Sequence, residues 1–291
     1  MKLAHLLLLA TAAAIPTAAS AAAKDCRVLP TRIDPTPITV NYDPFEVAPV
    51  NEAFNVEVRT EDCPDPRNIF LEVSSDDPTA IDGRTVSARG PGGQIVRAIL
   101  SDRTTSNGRD KFFNVKLGIQ EFYVLIDRGQ VVPPGVYRAP LIAKTVLNQG
   151  NNTPEALTSF ELVIVVGAAV GLAPASSMEI SLGTLENNDT AMAPASFDAY
   201  ANIDYELEIL SDNGFRLVRD GLPGQAAVAF VPVLDAQLLP PFSARATFAR
   251  PLGADSRRRH QLNAKVPSIA GAPAGDYEDV VTVQISAKLG G

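Results

Sequence analysis

Histidine and cysteine are scarce in this chain, whose 291 residues include two of each. That scarcity excludes most catalytic chemistry. His5 lies in an N-terminal leader, which leaves His260 as the single imidazole of the remaining chain. No histidine cluster can therefore hold zinc, and a His-dependent triad would have to be built on that one residue. On an alternating segment it reads as an ordinary strand or loop histidine. Gly-x-Ser-x-Gly elbows, phosphate loops and dinucleotide fingerprints are missing too. Asp76, Asp77 and Asp82 cluster before Gly83 but lack the alternating oxygen ligands and closing Glu of a calcium loop, so they read as a solvated turn. The expectation is a chain with no catalytic residues, no metal and no cofactor. Carboxylate pairs for glycoside hydrolysis stay open, because acids are plentiful and their separation in space is not written in a sequence.

Long hydrophobic runs are also lacking. Met1-Lys2, the apolar stretch from Leu6 to Leu9 and the small residues around Ala19-Ser20-Ala21 are the positive, apolar and cleavage regions of a secretory signal peptide, residues 1–23. Pro16 interrupts the stretch, which falls short of the roughly 20 apolar residues that span a bilayer. Cleavage removes one Lys and no acid from 25 basic and 33 acidic residues, leaving a net charge of −9. An acidic surface argues against nucleic acid or anionic lipid as partner. The one basic run, Arg257-Arg258-Arg259, reads as a solvated loop before a strand. An even cysteine count in an exported chain favours one disulfide, Cys26 to Cys63, over a metal pair. Closing a loop of that size contributes about 3 to 4 kcal/mol in the chain-entropy treatment.

Helical periodicity is hard to find after the leader, whereas period-two alternation bounded by Pro, Gly, Asn and Asp recurs throughout. Phe54, Val56 and Val58 alternate with polar residues, and Ile69, Leu71 and Val73 repeat the pattern. Further strands are expected at 95–100, 112–117, 122–126, 136–146 and 159–166, and then at 178–182, 205–210, 215–218, 226–231, 244–248, 261–266 and 277–289. Asp212-Asn213-Gly214 reads as a hairpin turn. The nearly uncharged stretch 168–177 reads as a linker, giving an N-terminal domain at 24–167 and a C-terminal one at 178–291. The fold class is all-β, with two immunoglobulin-like antiparallel β-sandwich domains.

A weak repeat joins the domains. Pro134-Gly135-Val136-Tyr137 leads into a late strand of the first, and Pro273-Ala274-Gly275-Asp276-Tyr277 into a late strand of the second. Another strand follows the first of these, while the chain stops after the second. If the topologies match, the second domain lacks its last strand and exposes an apolar groove that a strand from another protein can fill. A miscounted strand is the plain alternative.

Tyr42-Asp43-Pro44, a strand ending at Cys63, the stretch Ile180-Ser181-Leu182-Gly183-Thr184-Leu185 and above all the run from Pro273 to Ile285 resemble the spore coat protein U-like domains, subunits of archaic chaperone-usher pili. The closing segment is similar to that family's Gly-x-Tyr-x-Asp step followed by Val/Thr alternation. The chain departs from the family in carrying a cysteine pair only in its first domain, and residues 80–130 match none of its motifs. The resemblance implies a pilus tip subunit with a binding N-terminal domain and a pilin-like C-terminal one. Cys26 follows the cleavage site too closely to leave a donor extension, which fits a tip. The implied donor-strand groove holds Ile180, Leu182, Val281, Val283 and Ile285. Implied partners are other pilus subunits, a periplasmic chaperone and an outer-membrane usher, with a surface or glycan ligand at loops such as 90–93, 101–110 or 148–154. The implied location is the periplasm and then the cell surface. Two alternatives remain: a periplasmic immunoglobulin-like chaperone, and an exported carbohydrate-binding or enzymatic sandwich.

Overall fold

A computed structural model describes residues 26–63, 68–102, 112–147, 155–174, 177–184, 186–190, 194–219, 227–240, 244–252 and 256–289; the leader and most of the loops 101–110 and 148–154 lie outside them. All regular elements among the described residues are β-strands. In the N-terminal domain these are β1 (Arg27–Val28), β2 (Arg32–Asp34), β3 (Ile38–Tyr42), β4 (Val50–Val58), β5 (Thr60–Glu61), β6 (Ile69–Ser74), β7 (Ile81–Asp82), β8 (Thr85–Arg89), β9 (Ile95–Ser101), β10 (Phe112–Val115), β11 (Gly118–Ile126), β12 (Gly135–Leu147) and β13 (Glu155–Val166). Alternation explains them. Along β6 and β12, for instance, every second side chain is buried, because successive residues of a strand face opposite sides of the sheet.

The ladder runs β10-β6-β12-β8-β9-β11-β4-β2. It folds at β12, which pairs with β8 at Arg138 and with β6 from Ile142 onward. The other edge of β12 pairs with β13 along its length, from Gly135 opposite Val166 to Val146 opposite Glu155. The far edge of β13 is covered by β3, in a parallel pair from Leu162–Ile38 to Val166–Tyr42. That parallel pair departs from the all-antiparallel expectation, and the whole domain between β3 and β13 serves as its long connection. Phe160, Leu162, Ile164 and Val166 of β13 are buried in one apolar core with Val40, Val56 and Leu141. At the end where β1 pairs with β5, Cys26 and Cys63 form the expected disulfide.

The second domain has β14 (Val170–Ala173), β15 (Asp189–Thr190), β16 (Ala195–Ala201), β17 (Tyr205–Ser211), β18 (Arg216–Arg219), β19 (Ala227–Ala229), β20 (Val231–Leu234), β21 (Gln237–Leu238), β22 (Arg245–Phe248), β23 (Arg257–Val266), β24 (Tyr277–Glu278) and β25 (Val281–Ala287). They form the sheets β14-β16-β23-β20-β21, β22-β17-β25 and β19-β18-β24 around a separate core, with β15 attached to β23.

Four local expectations change. The stretch 168–177 contains β14, which pairs with β16 from Val170–Ala201 to Ala173–Asp198. Its uncharged, Gly-rich composition suits close packing as well as a linker: a Cβ at Gly171 would lie 2.2 Å from the Tyr200 ring. The chain between β13 and β14 is braced by the buried Asn202. Its side-chain oxygen accepts from Ala169 N at 2.8 Å, and its amide donates to Gly167 O at 2.8 Å. Residues 178–182 form no strand, although Ile180 and Leu182 pack on the core, because no strand among the described residues offers them backbone partners. Arg257-Arg258-Arg259 lies inside β23, where Arg259 meets Asp198 at 3.2 Å across the ladder to β16. The turn at Asp212-Asn213-Gly214 closes no hairpin, since β17 and β18 belong to different sheets. Asp279 holds that turn, accepting from Ser211 Oγ at 2.6 Å and from Asn213 Nδ2 at 3.0 Å.

Candidate functional site

The repeat read from the sequence is a repeat of geometry. The Tyr137 hydroxyl donates to Pro133 O at 2.8 Å, and the Tyr277 hydroxyl donates to Pro273 O at 2.7 Å. Gly135 and Gly275 adopt φ of 155° and 158°, a backbone region that side chains avoid. Both turns deliver a strand that first meets one partner and then another. β12 pairs with β8 and then β6, while β24 pairs with β18 and the following β25 pairs with β17. Counting from the tyrosines, Leu141 corresponds to Val281, Ala143 to Val283 and Thr145 to Ile285.

The outer edges differ. β12 is covered by β13, whereas no described strand pairs with the outer edge of β25. Leu141, Ala143 and Thr145 are buried, but Val281, Val283 and Ile285 are only half-buried. The segment 177–184 follows β14 as β3 follows β2, but no strand among the described residues pairs with it as β13 pairs with β3. Between this segment and β25 lies a cavity of about 680 Å³. Ile180, Leu182, Val281 and Val283 line it, together with the buried Phe197, Phe230 and Leu262. Four of the five expected groove residues are thus gathered around one cavity. The fifth, Ile285, packs on the same core further along β25.

Other expected sites fall elsewhere. The loop 90–93 packs on the Pro/Gly turn of the first domain, with Gly90 against the Tyr137 ring, at the end where the chain leaves for the second domain. No group of three or more metal-ligating side chains occurs among the described residues. In the acidic turn, Asp77 Oδ1 accepts from Thr79 N and Oγ at 2.9 and 2.6 Å. The Thr79 hydroxyl holds the Asp77 carboxyl below its usual range. A shallower cavity of about 500 Å³ lies where Phe45 and Arg128 of the first domain meet Tyr200 and Arg257 of the second.

One constellation was not legible in the sequence. His260 is fully buried, with Nε2 2.7 Å from the Tyr205 hydroxyl and Nδ1 2.8 Å from Asp235 Oδ2. Burial pushes Tyr205 up to about 12 and His260 below its ordinary value. The inward phase of Tyr205 and His260 was readable from alternation. Their meeting across the sandwich, with Asp235 from a third place in the chain, was not.

No family model and no curated protein matches the sequence. Among solved structures, the chain is similar to one in the complex of the chaperone CsuC with the tip adhesion subunit CsuE, from archaic chaperone-usher Csu pili of Acinetobacter baumannii. Identity is 14% over 90% of this chain and 99% of that one, with a TM-score of 0.47. CfaE, the adhesive subunit of CFA/I fimbria of enterotoxigenic Escherichia coli, matches at 12% identity over 88% and 94% of the two chains, with a TM-score of 0.36. AggA, the major subunit of aggregative adherence fimbriae type I from Escherichia coli, matches at 16% over 50% and 97%, with a TM-score of 0.34. The Escherichia coli chaperone DraB also matches, so these neighbours include pilus subunits, adhesins and chaperones.

Proposed function

We propose that the protein is an exported subunit of a chaperone-usher pilus, with a C-terminal domain that accepts a strand from a neighbouring subunit and an N-terminal domain that binds a surface or ligand. The free edge of β25 above an apolar cavity carries this reading. The N-terminal domain serves as the template. There β13 runs antiparallel to β12 and parallel to β3, and sends alternate apolar side chains into the core. A donated strand takes the same place beside β25 and 177–184, pairing the exposed backbone groups of both. Each inward side chain it buries stabilises the pair by about 1.5 to 3 kcal/mol before ordering costs. The segment 177–184, which turns Ile180 and Leu182 inward without a partner, becomes a strand when the donor arrives.

A subunit that completes its first domain internally and its second externally suits the tip of a fibre, with the N-terminal domain outermost. Its partners are then other subunits, a periplasmic chaperone that occupies the groove before assembly, an usher and a surface or glycan ligand. The location is the periplasm and afterwards the cell surface. The alternative of an immunoglobulin-like chaperone requires a closed second domain, which the edge of β25 does not support. No observation favours the enzymatic alternative.

The test uses the full chain and a peptide with the sequence of β13, Glu155–Val166. The peptide is expected to raise the melting temperature of the second domain by several degrees. If neither the peptide nor the same sequence fused after Gly291 raises that temperature, the proposal fails.

A further inference from the structure

Behind the groove lies a polar chain that strand capture does not itself require. The His260 ring sits among three aromatic rings, with centroid distances of 4.5 Å to Phe248, 5.5 Å to Phe197 and 6.0 Å to Tyr205. A carboxylate only accepts, so Nδ1 carries the imidazole hydrogen toward Asp235, and Nε2 accepts from the Tyr205 hydroxyl. The chain joins three elements: His260 on β23, Tyr205 at the start of β17 and Asp235 in the turn after β20. β23 and β17 belong to the two sheets that flank the groove. Phe197, opposite His260 in the β16–β23 ladder, lines the cavity, as does Leu262 two residues along. On the other sheet, β17 carries β25.

We propose that Tyr205, His260 and Asp235 form a proton-sensitive tie between the two sheets, and that protonation of His260 weakens the hold of the groove on its strand. This rests on the reading of the groove as a strand acceptor. With a hydrogen on both ring nitrogens, Nε2 becomes a donor. The Tyr205 oxygen must then accept, and its own hydrogen turns away into the aromatic surroundings of Phe248, where it loses its acceptor. Around the ring, Asp235 and Asp198 favour the cation and Arg258 opposes it, while burial, the largest influence, opposes it as well. His260 is already out of contact with water, so the coupling runs through packing: Phe197, against the ring, and Leu262 line the cavity, and a ring that shifts on protonation moves the wall on which the strand rests. Proton uptake and strand capture therefore compete. The neutral imidazole is the form favoured by the closed site and burial holds His260 below its ordinary value, so capture is at full strength within and above the ordinary histidine range and declines as pH falls below it.

The experiment measures binding of the Glu155–Val166 peptide to the full chain at about pH 7.5 and about pH 5. The dissociation constant is expected to rise by about three- to tenfold at the lower pH in the native protein, and by less than about twofold in His260→Gln. Any pH response of the peptide itself is common to both proteins, so the difference between them is the signal. Should His260→Gln fail to fold, Asp235→Asn is expected to move the loss of affinity to lower pH, because it removes a neighbour that favours the cation. Binding that ignores pH, an equal response in His260→Gln, or an unmoved response in Asp235→Asn overturns the proposal. Absence of peptide binding at the higher pH instead sinks the acceptor reading, and this inference with it.

Discussion

The two domains receive their late strand through the same turn and treat it in opposite ways. β12 is enclosed between β13 and the β8 and β6 edge, so its inward residues disappear into the core. The equivalent β25 has β17 on one side and an open cavity on the other. The difference shows that one strand decides whether the edge of a sandwich is covered or open. It also shows that a segment such as 177–184 can hold its apolar residues inward while lacking the hydrogen bonds of a strand. Removing the contribution of β13 should make the first domain behave like the second.

The largest effect is expected in that direction. Leu162→Ala removes a fully buried side chain from β13 and should cost about 2 to 5 kcal/mol in denaturant unfolding of the first domain. A truncation at the open edge of the other domain, Val283→Ala, removes a half-buried side chain that lines the cavity. It should cost under about 1 kcal/mol alone, yet reduce the stabilisation by the β13 peptide. Equal losses in the two domains would abolish the distinction between a filled and an open edge.

Cys26→Ser with Cys63→Ser sharpens the comparison next. The disulfide spans 37 residues of the first domain only, so its loss should lower that domain's stability by about 3 kcal/mol and leave the second untouched. Calorimetry should show one transition move and the other stay; movement of both would mean that the domains unfold together. Smaller still is the tyrosine pair. Tyr137→Phe and Tyr277→Phe each remove one hydroxyl-to-carbonyl hydrogen bond, worth about 1 kcal/mol net. The buried Tyr137 should lose more than the half-buried Tyr277, and adding the donor peptide should narrow the gap.

The most gradual effect concerns acid. Burial holds His260 below its ordinary value, so between the folded and unfolded values the unfolded chain binds more protons. Stability of the second domain should therefore decline as pH falls below the ordinary histidine range, with no matching decline in the first domain, whose described residues include no histidine. His260→Gln should flatten that slope in pH-dependent melting.

Much of this was legible in residue order. Alternation located most of the strands, the cysteine count paired Cys26 with Cys63, and the two Pro/Gly/Tyr steps announced the correspondence of β12 with β24 and β25. Ile180, Leu182, Val281 and Val283, which the sequence marks as one apolar set, line a common cavity. The misreadings share a cause. Val170–Ala173 looked like a linker because composition cannot tell a flexible segment from one packed tightly on Tyr200. Asp212-Asn213-Gly214 looked like a hairpin because a turn sequence does not say which sheet the chain enters next. Residues 178–182 had the pattern of a strand and lacked only the neighbour that makes one.

By itself the sequence determined the period of the chain, because the facing of successive side chains is a local property of an extended backbone. From that period came the all-β class and the inward set of each strand. Tertiary structure alone decided which strands lie side by side, and with that the free edge of β25 and the meeting of Tyr205, His260 and Asp235. Pairing depends on residues brought together from distant parts of the chain, and an edge is open or closed only with respect to a neighbour.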